Sequence, residues 1–129
     1  MIDVRQIQIE PITLSWSEWY AWSKFELDAR SDAEGITLPD SPGVYEAKLT
    51  DSDERLTIGR ASNLRMRVKQ GLVKGNVPHS SGKDIRDKEN TSAIIIRWAV
   101  TDRRAAVEEE LHRQHVELFG CLPKYTERT

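Results

Sequence analysis

The stretch from Pro42 to Leu72 constrains the fold of this chain more than any other. Tyr45, Ala47 and Leu49 stand in an alternating run, the polar loop Asp51-Ser52-Asp53-Glu54 follows, and Leu56 and Ile58 alternate again. That is the pattern of a β-hairpin whose second strand closes at Gly59. Ser62 or Asn63 can then accept a hydrogen bond from the free N–H groups of a helix start, and Leu64, Val68 and Leu72 recur at helical spacing behind it. Two strands and a helix are therefore expected to meet here.

What this unit presents points to its partner. Arg60, Arg65, Arg67, Lys69 and Lys74 follow one another with no acidic residue among them, a local positive field suited to phosphate. The chain carries a net charge of −2, but it is unevenly spread: from Arg55 to Arg104 twelve Lys or Arg meet four Asp or Glu, so this middle is positive by eight and the flanks negative by ten. A basic middle of this kind can hold a polyanion. With 129 residues the chain is expected to be a single domain with a modest core. Cys121 is its only cysteine, which excludes an intrachain disulfide and a cysteine-based zinc site. No apolar run approaches a membrane span and the N-terminus lacks a signal-peptide layout, so the expected compartment is the cytoplasm and no membrane partner is expected.

Elsewhere, residues 2–12 alternate loosely as a strand, and Ser15 with Glu18 makes a capping box for a Trp-rich helix running to about Ala29. Trp16, Trp19, Tyr20 and Leu27 share one side of it, with Trp22 and Phe25 widening the apolar surface, so that residues 1–37 pack as a strand and helix on a domain of residues 38–129. Residues 32–42 read as a polar loop, and Gly71 and Gly75 as helix breakers before a long polar segment, 75–89, that contains His79. Ala93 to Val100, with Ile94-Ile95-Ile96, is an interior strand. Asp102 caps a last helix, Arg103 to Phe119, ended by Gly120 and buried along Val107, Leu111 and Leu118. Of the triplet Glu108-Glu109-Glu110, Glu109 faces solvent, while Glu108 and Glu110 lie near opposite edges of the stripe, where a carboxylate can face a cleft. The fold class is α+β, a small, mainly antiparallel three-stranded sheet flanked by helices, with an N-terminal strand and helix extension.

Gly43-Val44-Tyr45, Thr57-Ile58-Gly59 and Arg67, eight positions after Gly59, together resemble the signature of the GIY-YIG endonucleases. The second motif carries Thr57 in place of Tyr, and the C-terminal Leu122-Pro123-Lys124-Tyr125-Thr126 resembles the family's closing segment with Thr126 in place of Asn. The resemblance implies a DNA endonuclease that uses one Mg²⁺, with Mn²⁺ as a substitute. It implies Glu108 as the metal ligand and catalytic carboxylate, with Glu110 as the second choice, and Arg67 as the clamp on the scissile phosphate. Arg60 stands where several members carry a basic residue that grips the phosphate or assists the Tyr, and His79 lies near a histidine that in some members approaches the site. A threonine hydroxyl cannot be deprotonated usefully at neutral pH, so the base role of the missing Tyr passes to Tyr45 or His79. Arg60, Arg65, Arg67, Lys69 and Lys74 are the expected DNA contacts, and a protein partner for targeting is a further expectation. The alternative is a GIY-YIG-like domain that binds nucleic acid or a protein without cutting.

Overall fold

A computed structural model describes residues 11–27 and 35–126. The expected hairpin forms as β2 (Gly43–Leu49) and β3 (Arg55–Ala61), antiparallel, with Tyr45 opposite Gly59 and Ala47 opposite Thr57. The register shifts beyond Ala47, where Lys48 faces Arg55 and Leu56 becomes the extra residue of a bulge. On its other side β2 pairs antiparallel with β4 (Ile94–Val100), as the isoleucine run requires of an interior strand. Tyr45, Ala47, Ile96 and Trp98 point into the main core, while Val44 and Ala99 point to the opposite face, where they meet Val107. Among the described residues no helix is long and apolar enough to cross a membrane.

The sheet has four strands and not three, in the order β1-β4-β2-β3. The added strand, β1 (Tyr20–Ala21), lies within the segment that sequence assigns to a Trp-rich helix. That helix does not form: residues 11–19 are irregular, and only one 3₁₀ turn, Trp22–Phe25, follows β1. Ser17 instead ties the segment to β4, its N–H donating to Trp98 O (2.8 Å) and its Oγ accepting from Trp98 N–H (3.0 Å). Once extended, the segment sends Tyr20, Trp22 and Phe25 into the core, where Tyr20 stacks on Trp98 at 5.5 Å. Trp16 and Trp19 pack on the Arg97 guanidinium, 4.2 and 4.5 Å away. Helix propensity loses here to the packing of five large rings against a sheet edge. The strand expected over residues 2–12 lies outside the described residues except for Pro11 and Ile12, which are irregular.

The helix after β3 also forms, as a π-helix over Arg65–Val73, with Lys74 N–H donating to Lys69 O at 3.0 Å. Its first N–H groups are satisfied by the preceding loop: Leu64 donates to Ser41 O, Arg65 to Pro39 O, and Met66 to Asn63 Oδ1. Each turn holds slightly more than four residues, so the pairs 64–65, 68–69 and 72–73 all turn inward. Gly71 sits inside this helix and does not break it; Gly75, at φ +76°, ends it.

The long polar segment is also not a loop. It carries α1 (Ser80–Lys88), whose N-cap is His79: Gly82 N–H donates to His79 Nδ1 at 2.9 Å. Gly71 and Gly82 let α1 sit close to the π-helix, because a Cβ at Gly82 would lie 3.0 Å from the Leu72 backbone. Arg86 then donates to the carbonyls of Gly71 (2.9 Å) and Leu72 (2.7 Å), holding the two helices together.

The last helix, α2 (Arg104–Phe119), ends at Gly120 with φ +77°, as expected. Asp102 does not cap it; Thr101 Oγ1 accepts from Arg103 N–H instead. Val107 and Leu111 face the sheet, but Leu118 is 75% exposed and the buried position in the next turn belongs to His115. His115 Nε2 accepts from Arg55 N–H (3.0 Å), so its proton is on Nδ1 and donates to Cys121 O (2.6 Å). The chain then lays Lys124 and Tyr125 along one end of β3, with Tyr125 N–H donating to Leu56 O at 2.8 Å. The other end of that edge is left to the cleft described next.

Candidate active site

A cleft of about 240 Å³ lies along the edge of β3, lined by Tyr45, Thr57, Ile58, Gly59, Arg60, Arg67, Ser81 and Glu108. Seven of these, all but Ser81, were singled out from sequence as motif or catalytic positions. They come from β2, β3, the π-helix and α2, and the two motif glycines explain how they fit. A Cβ at Gly43 would lie 2.2 Å from Ala99 O, so only glycine lets β2 pass that close to β4. A Cβ at Gly59 would lie 2.3 Å from Tyr45 Oη, because the phenol lies directly across that residue. Glycine on β3 is therefore what lets Tyr45, otherwise buried, bring its oxygen to the cleft.

Tyr45 Oη is 2.8 Å from His79 Nε2. Since Nδ1 accepts from Gly82 N–H, the neutral ring carries its proton on Nε2 and donates it to Tyr45. Burial first, then the charges of Arg67 and Arg86, lower the His79 pKa to about 4. His79 is thus a neutral donor that positions the phenol. Both of its nitrogens are engaged, so in this arrangement it is not the base that removes the Tyr45 proton.

Arg67 projects from the outer face of the π-helix, with Nη1 donating to Pro78 O at 3.4 Å. Arg60 Nε lies 4.0 Å from Glu108 Oε1, the outer limit of an ion pair, in a part of the cleft sheltered from solvent on the Glu108 side. Glu110 is elsewhere. It is exposed, and its hydrogen bonds from Arg113 and then Gln114 hold its carboxyl well below the usual range, at about 2. Between the two candidate carboxylates, only Glu108 lines the cleft.

Three of the five expected DNA contacts are not available to a ligand at this cleft. Arg65 and Lys69 are buried, because the π winding turns both inward, and Lys74 Nζ donates to Glu26 O at 3.4 Å beside the 3₁₀ turn. Thr126 also lies outside the cleft: its N–H donates to Pro123 O, and its Oγ1 is buried without a hydrogen-bond partner. Ser81 was missed by the sequence reading, which treated its segment as a loop; it lines the cleft and its Oγ donates to Tyr125 O. Glu46 was missed as well. Its buried carboxylate accepts from Arg97 Nε at 2.7 Å and pairs with Arg55 at 3.2 Å on the opposite sheet face, where strand alternation places a neighbour of Tyr45.

Comparison of the chain with descriptions of known protein families, with curated proteins and with solved structures found no match in any of the three. The donor set suits a hard cation bound lightly. Among the described residues no three His, Cys, Asp or Glu side chains gather as a metal cluster, so a cation would rely on Glu108 with water and a substrate phosphate, which is an ordinary arrangement for Mg²⁺.

Proposed function

We propose that this chain is a Mg²⁺-dependent DNA endonuclease of GIY-YIG type, with Mn²⁺ able to substitute. The observation that carries this reading is the convergence of Tyr45, Arg60, Arg67 and Glu108, from four separate elements, on one cleft. Arg67 binds the scissile phosphate and neutralises charge that grows in the transition state. Arg60 shares that phosphate from the β3 side. Glu108 would hold the cation, which supplies Lewis-acid polarisation of the phosphate and charge neutralisation at the leaving oxygen. Tyr45, its oxygen fixed by the N–H of His79, orients the attacking water.

Nicking of supercoiled plasmid by the purified chain in Mg²⁺ or Mn²⁺, abolished in Glu108→Gln, is the expected result. A wild-type chain that nicks with neither metal would overturn the reading. A second reading, a domain that binds DNA without cutting, is favoured by one observation: Thr57 lines the cleft where the resemblance calls for a phenol, and it is buried. DNA binding without nicking in the same samples selects it.

A further inference from the structure

Beside the cleft runs a second groove of about 420 Å³, continuous with it through Arg60 and Arg67. It runs between Asn63, after β3, Met66 on the outer face of the π-helix, Pro78, and Arg104 at the start of α2. We propose that the substrate strand leaves the cleft along this groove, and that Arg104 holds a phosphate next to the one that is cut. The inference deepens the endonuclease reading and rests on it.

Charge is the first argument. Three guanidinium groups line the groove and no carboxylate does. Of the acids of α2 nearest to Arg104, Glu108 lines the cleft, Glu110 is bonded to Arg113, and the exposed Glu109 does not line the groove. Asp40 meets the groove's residues through Asn63, whose Nδ2 donates to it at 3.4 Å.

The second argument is that folding does not account for Arg104. It makes no hydrogen bond or ion pair among the described residues, whereas Arg60 and Arg67 each have a partner. It also stands in the first turn of α2, where positive charge opposes the helix dipole. A cation placed against its local field, without a partner among the described residues and beside two others, suits an anion that arrives from outside.

Shape is the third. A strand held at one phosphate by Arg67 must leave the cleft along a wall that accepts its next phosphate and its sugar. Met66, 50% exposed beside these arginines, gives the groove an apolar face against which a sugar or base can lie.

The test is binding measured apart from cleavage. A fluorescein-labelled DNA duplex is titrated with the full chain carrying Glu108→Gln, over a series of salt concentrations, with and without Arg104→Ala. Arg113→Ala serves as the charge-matched control; it lies nine residues further along α2, roughly 13 Å away at 1.5 Å per residue, and lines neither the cleft nor the groove. Arg104→Ala is expected to weaken binding several-fold and to lower the slope of log K against log salt by about 0.9, the loss of one phosphate contact. Arg113→Ala is expected to leave the slope at its parent value. Cleavage by the otherwise wild-type chain should lose kcat/KM through a raised KM. An Arg104→Ala slope equal to the parent's, in a chain whose wild type nicks DNA, overturns the groove and leaves the endonuclease standing. An Arg104-dependent slope in a chain that never nicks retains the strand track and removes the nuclease. No binding by the parent overturns both.

Discussion

Gly59→Ala tests the central packing argument of the site. An added Cβ would lie 2.3 Å from Tyr45 Oη and 2.5 Å from Cζ, whereas ordinary contact begins at 3.4 Å, so the phenol must retreat by about 1 Å. A displacement of that size takes Oη off His79 Nε2, now 2.8 Å away. Overpacking of this kind costs roughly 1–3 kcal/mol and the lost hydrogen bond about 1 kcal/mol more. The better strand propensity of alanine returns roughly 0.5–1 kcal/mol, leaving a net destabilisation of about 2 kcal/mol. For a domain of this size that lowers Tm by roughly 10 °C, read by circular dichroism. In a Tyr45→Ala background the methyl has space, so the same Gly59 substitution should be neutral or mildly stabilising; the cycle isolates the contact. A Gly59→Ala chain as stable as wild type, or an equal penalty with and without the Tyr45 ring, would refute the reasoning.

Glu108→Gln should reduce nicking by roughly 10²-fold or more and Glu110→Gln should change it little, since only Glu108 lines the cleft; equal losses in the two variants would count against a single metal carboxylate. Tyr45→Phe should be severely impaired and Thr57→Ala mildly, compared by single-turnover nicking; a dead Thr57→Ala would mean that its hydroxyl is required. His79 carries a pH signature. Its folded-state pKa is depressed from 6.5 to about 4, so its neutral form contributes stability that is fully present above pH 6.5 and is lost as pH falls toward 4. The loss amounts to at most about 3 kcal/mol. Urea unfolding at pH 7 and pH 4.5 should show a smaller pH effect in His79→Gln than in wild type, and an unchanged effect would sink the assignment.

Much of the site was legible because its determinants are local. Alternation around Tyr45 and Ile58 specifies a hairpin. The two motif glycines mark places where backbone or ring passes with no room for a Cβ, and steps of four identify Leu64, Val68 and Leu72 as the inward side of the next helix. The spacing from Gly59 to Arg67 then brings strand and helix residues to one cleft, because both elements pack on the same few side chains.

The misreadings have a different origin. Ser15 and Glu18 have the spacing of a capping box, but the bonds of Ser17 to Trp98 and the stacking of Trp16 and Trp19 on Arg97 exist only when β4 is alongside, and together they outweigh a helix of modest propensity. The segment 75–89 looked like a loop because its cap is a histidine, and His79 becomes a cap through a ring that also needs Tyr45 from a distant strand.

The sequence by itself determined which residues are candidates for a site, since alternation, helical spacing and charge are written in neighbouring positions. Tertiary structure alone decided which of them a ligand can reach. In the π-helix Arg65 and Lys69 are buried together with Val68 and Leu72, while Arg67 is on the outer side. Glu108 and Glu110 are equivalent until the sheet edge is in place, and then one faces Arg60 across the cleft while the other is taken by Arg113 on its own helix. The facing of Glu108 and Arg60 depends on a contact between residues far apart in the chain, which a local pattern does not encode.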